Sequence, residues 1–106
     1  MKHISLFVLI AVLGGIFVNE PLRSGDELEL VAIVRADYGL EDISVKAVIY
    51  DLGIILSSNS FDLGKYENGV ARIYYTNPLP AGLYLVRVVA SNEKVRDVRH
   101  VYLRVV

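Results

Sequence analysis

The chain has 106 residues, no cysteine, a formal net charge of −1, and 54% hydrophobic against 22% charged residues. That length suits one ordinary domain, and the composition excludes disordered, collagen-like and disulfide-scaffold classes. Eleven Lys plus Arg against twelve Asp plus Glu, scattered rather than blocked, leave no basic field of the kind that grips phosphates, so nucleic acid is not an expected partner.

Met1-Lys2-His3 precedes an apolar run over residues 4–18 that is broken only by Ser5, Gly14 and Gly15. A basic start, about 11 apolar residues and small residues at the end give the layout of a secretory signal. As a helix the run would rise only ~22 Å, short of the ~30 Å hydrocarbon core of a bilayer. The sequence therefore predicts a signal peptide or membrane anchor over residues 1–14, cut after Gly14 if it is a signal, and a domain over residues 15–106. A buried strand or helix of the fold is the third reading of the same run. An exported domain without cysteine must stand on packing alone.

From residue 16 onward the hydrophobic pattern has period 2, with turn residues every 8 to 14 positions or so, which predicts an all-β chain. A first strand over residues 16–20 ends at Pro21, which cannot donate to a ladder. Ser24-Gly25-Asp26 turns the chain into a strand over residues 27–36, with Leu28, Leu30, Ala32 and Val34 facing the core. Asp37 to Asp42 reads as a polar turn. The next strand, residues 43–50, points Ile43, Val45, Ala47 and Ile49 inward. Asp51-Leu52-Gly53 bends the chain into a short edge strand, residues 54–57, and Phe61 and Leu63 read as core plugs in the connection that follows. A turn over residues 65–69 is expected to place its positive φ at Asn68-Gly69. Residues 70–76 form the next strand, with Ile73 and Tyr75 inward. The last two are residues 85–91 and residues 98–106, the latter with Val101, Leu103 and Val105 inward. Asn92-Glu93-Lys94 turns between them.

Pro78-Leu79-Pro80-Ala81-Gly82-Leu83-Tyr84 resembles the corner that leads into strand F of immunoglobulin-like and fibronectin type III-like sandwiches, where the tyrosine hydroxyl bonds back across the turn. With the Gly25-Asp26-Glu27-Leu28 and Leu40-Glu41-Asp42-Ile43-Ser44-Val45 segments, residues 24–106 resemble the immunoglobulin-like modules of archaeal and bacterial cell-surface proteins, including the cell-adhesion-related CARDB domains. The resemblance implies a seven-stranded antiparallel immunoglobulin-like sandwich in which Tyr84 is a structural corner and Tyr84, Val86, Val88 and Ala90 point inward. It implies little about activity, because these are scaffold motifs.

Residues that carry chemistry are few. His3 lies in the leader and His100 on an outward face, so neither a histidine metal site nor a Ser-His-Asp triad is expected. Asp37, Glu41, Asp42, Asp51 and Asp62 read as solvated turn acids rather than a calcium site, since none has EF-hand spacing. No enzyme activity, cofactor or metal is expected. The outward strand positions are more informative, because several are apolar where a lone soluble sandwich should be polar. One set is Val48, Tyr50, Leu85, Arg87, Val89, His100 and Tyr102, interleaved with Arg99 and Arg104; the other is Val31, Ile33, Arg35, Val70, Arg72 and Tyr74. Tyrosine and arginine beside aliphatics are enriched at protein interfaces, although exposed β-formers are also ordinary surface. The sequence thus predicts a non-catalytic protein of the cell envelope, secreted or at the cell surface. It would be a structural or assembly subunit that packs through the first set against copies of itself or another envelope protein. The alternative is an extracellular binding module that recognises a protein or glycan through the loops around Tyr38, Tyr66 and Asn92.

Overall fold

The computed structural model describes residues 11–18, 22–23, 26–36 and 39–106. Expectations placed on residues 1–10, Pro21, Asp37 and Tyr38 lie outside them. Among the described residues eight strands run in chain order: β1 (Ala11–Val18), β2 (Leu28–Ala36), β3 (Leu40–Ile49), β4 (Ile54–Ser57), β5 (Phe61–Leu63), β6 (Asn68–Tyr75), β7 (Gly82–Ser91) and β8 (Arg96–Val105). They form a three-stranded sheet, β1-β2-β6, and a five-stranded sheet, β4-β3-β7-β8, in which β5 also pairs with β3. Every strand pair is antiparallel. Among the described residues no helix is long and apolar enough to cross a membrane.

The core follows from alternation. Leu28, Leu30, Ala32 and Val34 of β2 and Ala71 and Ile73 of β6 face Ile43, Val45, Ala47 and Ile49 of β3, Tyr84, Val86, Val88 and Ala90 of β7, and Leu103 and Val105 of β8. All are buried, as the period-2 pattern predicts, while Tyr75 and Val101 pack partly buried against them. No described polar or charged residue is buried, so the sandwich is held by apolar burial worth about 1.5–3 kcal/mol for each large side chain.

The seven expected strands are all present, and the structure corrects several of their bounds. The first starts at Ala11, ahead of the expected residue 16, and is described as far as Val18; residues 19–20 lie outside the described residues. The strand lies along β2 from Ala11 opposite Ala36 to Val18 opposite Leu30, with a register shift between Leu13 and Gly15. A long neighbouring ladder thus recruits apolar residues on both sides of the boundary expected at 14/15. β3 begins at Leu40 instead of after Asp42, because a bulge carries residues 41–42 through the sheet. Asp42 takes φ 58° there, and its N–H donates to Asp62 Oδ1 at 2.9 Å. Tyr50 is not a strand residue: it opens a 3-10 turn, Tyr50–Leu52, closed by Gly53 at φ 65°, a left-handed conformation that glycine adopts without steric cost.

Phe61 and Leu63 do enter the core side, and they do so as an additional short strand, β5, opposite Ile43 and Leu40. Ser58 makes the crossing from β4 to β5. Its N–H donates to Val45 O at 2.8 Å, and its Oγ accepts from Val45 N at 2.9 Å. The following turn places its positive φ at Tyr66, 63°, and not at Asn68-Gly69, which already belong to β6. Glu67 replaces the expected dipeptide as the turn maker: its N–H donates to Gly64 O, and its Oε1 accepts from Gly64 N at 2.6 Å. Gly69 has a packing role instead, since a Cβ there would come within 2.5 Å of the Phe61 ring and 2.6 Å of Leu63.

Candidate functional site

The corner before β7 fixes which side chains point outward. Tyr84 Oη donates to Pro80 O at 2.7 Å, which ties the chain ahead of the strand to the ring that enters the core. With Tyr84 inward, Leu83, Leu85, Arg87 and Val89 fall on the outer side of the five-stranded sheet, because successive side chains alternate. Register carries that choice to the neighbours. Ile55, Val48, Arg87 and His100 form one row across β4, β3, β7 and β8. Ser57, Lys46, Val89 and Val98 form the next, and Leu85 lies opposite Tyr102 and Leu83 opposite Arg104.

Six of the seven expected interface residues therefore lie on this face by strand register, and the seventh, Tyr50, joins them from the 3-10 turn. Its ring stacks on His100, with centroids 6.5 Å apart and an interplanar angle of 22°. Because β3 and β8 both flank β7, this pair spans the central strand. The residues differ in what they offer. Tyr50 and Tyr102 are 49% and 66% exposed, whereas Val89 is only 8% exposed despite its outward direction. Val48, Leu85 and Arg87 are half-buried. Two exposed residues were absent from the expected set: Ile55 at 67% and Leu83 at 62%. The alternation of residues 54–57 carried the signal for Ile55, and the inward assignment of Tyr84 carried the one for Leu83. Arg99, expected outward, pairs with the inward-facing Val88 and is exposed only because β8 is an edge strand.

Charge on this face is one-sided. The outward positions of β4, of residues 44–49 in β3, and of β7 and β8 carry Lys46, Arg87, Arg96 and Arg104 and no Asp or Glu. The outer side of the three-stranded sheet differs. Val31, Ile33, Val70 and Tyr74 do face out there as expected, but Arg72 Nη1 pairs with Glu29 Oε2 at 3.3 Å. A depression of about 500 Å³ between Ser58, Phe61 and the Val70, Arg72 and Tyr74 side of β6 lies at that sheet's edge.

The loops β2–β3, β5–β6 and β7–β8 share one end of the sandwich, by strand direction. Its described carboxylates, Glu41, Asp42, Asp62, Glu67 and Glu93, are all exposed, and Arg35, Lys65, Lys94 and Arg96 stand exposed at the same end. Tyr66 is exposed with Lys65 Nζ 5.3 Å from its ring centroid. Asn92 is committed to the turn: Oδ1 accepts from Lys94 N and Val95 N, and Nδ2 donates to Glu41 O at 2.9 Å. A hollow of about 180 Å³ lies between residues 39–41 and 92–94. Among the described residues no three His, Cys, Asp or Glu side chains gather closely enough to hold a metal ion.

No protein-family model and no curated protein sequence matches the chain. Solved structures do match in fold. The chain is similar to the CARDB domain of a Pyrococcus furiosus protein, in a crystal structure in complex with di-metal ions. There the TM-score is 0.67 at 19% identity over 86% of this chain and 84% of that one. The solution structure of that domain gives a TM-score of 0.68, again at 19% identity, over 86% and 90% of the two chains. The C-terminal domain of wzt matches with a TM-score of 0.60 at 14% identity, over 91% and 73%. The chain is thus a CARDB-like immunoglobulin-like sandwich, and at these identities the likeness is one of fold.

Proposed function

We propose that this CARDB-like sandwich is a non-catalytic packing module of the cell envelope that packs against further copies of itself through the outer face of its five-stranded sheet. One observation carries the reading: Tyr50, Ile55, Leu83 and Tyr102 leave large apolar area in water on the one face that also carries the half-buried Leu85 and the exposed His100. Cross-strand neighbours on a face stand roughly 5 Å apart, so these side chains make a continuous patch, and such patches mark interaction sites more often than isolated residues do.

Replacing Leu85 and Tyr102 by Lys puts two hydrated charges into the patch and leaves the inward residues untouched. Sedimentation of wild type across a concentration range should show association, and Leu85→Lys/Tyr102→Lys should abolish it with thermal stability retained. A wild type that stays monomeric throughout contradicts the reading.

Export through the N-terminal segment belongs to the same proposal and rests on the sequence of residues 1–18. The register shift between Leu13 and Gly15 coincides with the expected processing point, and a cut after Gly14 leaves residues 15–18 paired with residues 30–33 of β2. Mass spectrometry of the cell-surface fraction should find a mature terminus at Gly15. Intact Met1-containing protein confined to membranes would mean an anchor instead.

A further inference from the structure

We infer that the free edge of β6 is a docking slot for a single extended segment of another polypeptide, which adds to the three-stranded sheet as a further strand; the inference is independent of the packing face. An unpaired strand edge invites pairing, and folded proteins blunt it with short strands, bulges, inward-pointing charges or a covering segment. Among the described residues, three of the four sheet edges carry such devices. β4 and β5, which both lie along β3, have only four and three residues. β1 is broken by the register shift between Leu13 and Gly15. β8 gives Asp97 and Arg99 the inward phase and is bridged by Leu22 at Val105. β6 has none of these. Its eight residues pair with β2 without a shift, none is Lys or Pro, and no described strand pairs with its other side. Its one charge, Arg72, is exposed and already matched by Glu29.

The surroundings of that edge decide what fits. Phe61 and Leu63 close one end, where a Cβ on Gly69 would meet both side chains. Beyond it the depression of about 500 Å³ separates residues 70–74 of β6 from residues 58–61. Five strand residues extend over about 13 Å at roughly 3.3 Å per residue, so the slot takes a segment of about that length. The edge of another folded sheet is too thick. A second copy of β6 would bring its own β2 and its own residues 58–61 with it, and neighbouring strands need about 4.8 Å and packed sheets about 10 Å. One extended segment brings neither. Main-chain hydrogen bonds supply affinity in such an addition, and alternate side chains supply specificity. The outward neighbours on offer are the exposed Val70 and Tyr74, so the fitting segment is aliphatic or aromatic at alternate positions and has no proline in its ladder.

A synthetic peptide with the sequence of residues 29–35, capped at both ends, is a defined probe, because that alternation already pairs with β6 from its other side. It is titrated into the full chain at a concentration where sedimentation finds monomers. The backbone amide resonances of residues 70–74 should shift, and hydrogen exchange at alternate residues among them should slow by about tenfold or more. The same peptide with proline in place of Ala32 loses a ladder donor and should bind about tenfold more weakly. Val70→Lys/Tyr74→Lys changes two exposed positions, so circular dichroism should be unaltered while peptide binding weakens by a similar factor. A peptide that perturbs none of residues 70–74, or that binds equally well with the proline or to the double variant, overturns the inference. Shifts of residues 70–74 with protein concentration alone also overturn it, since the edge would then meet that of a second copy. The packing role is tested separately, by Leu85→Lys/Tyr102→Lys.

Discussion

The two outer faces of this sandwich come from the same alternating pattern and end as different surfaces. On the three-stranded sheet, Arg72 is matched by Glu29 from the adjacent strand, and the exposed Val70 and Tyr74 lie beside that pair. On the five-stranded sheet, Lys46, Arg87, Arg96 and Arg104 stand at outward positions among exposed aromatics and aliphatics, while Asp97 of β8 takes the inward phase. Alternation decides which residues leave the core.

The contrast depends first on β7 and β8 presenting opposite residues to core and solvent. Leu103→Ala should cost about 2–5 kcal/mol by opening a cavity in the core, whereas Tyr102→Lys next to it should stay within about 0.5 kcal/mol. Denaturant unfolding of both variants measures the difference, and similar losses would mean the strand's faces are misassigned. The corner that sets the phase comes next. Tyr84→Phe leaves the Pro80 carbonyl without its donor and should cost about 1–3 kcal/mol by the same measurement. The smallest effect belongs to the balanced face: Arg72→Ala breaks a pair whose side chains are well exposed, so it should cost less than about 1 kcal/mol and fade with added salt.

Much of the fold was legible because parity, once fixed, runs the length of a strand. Ile43 to Ile49 were placed correctly from spacing alone, and Tyr84 to Ala90 from the resemblance that Pro80, Gly82 and Tyr84 bear to the sandwich corner. Parity does not pass through a bulge or turn, and the errors cluster there. The bulge at residues 41–42 hid the start of β3, the 3-10 turn removed Tyr50 from its strand, and Glu67 closed a turn that Asn68-Gly69 seemed to own. β1 was hard for another reason: an apolar run suited to a secretory leader is equally suited to lie along β2.

The candidate face was legible in its central rows and less so at its margins. Arg99 has the inward phase of β8 but escapes burial at an edge, a consequence of sheet order that no local pattern carries. Val89 points outward and is buried all the same, enclosed on a crowded face between Lys46 and Val98, its neighbours in register. Ile55 depended on β4 being paired to β3 opposite Val48, which only the assembled sheet shows.

A concentration series of backbone amide NMR spectra tests the central claim most directly, because it reports both outer faces in one experiment. Increasing concentration should shift and broaden the resonances of Tyr50, Ile55, Leu83, Leu85, His100 and Tyr102, and leave those of Val31, Ile33, Val70 and Tyr74 unchanged. Perturbations confined to β2 and β6, or spectra independent of concentration, would contradict a docking role for the five-stranded face.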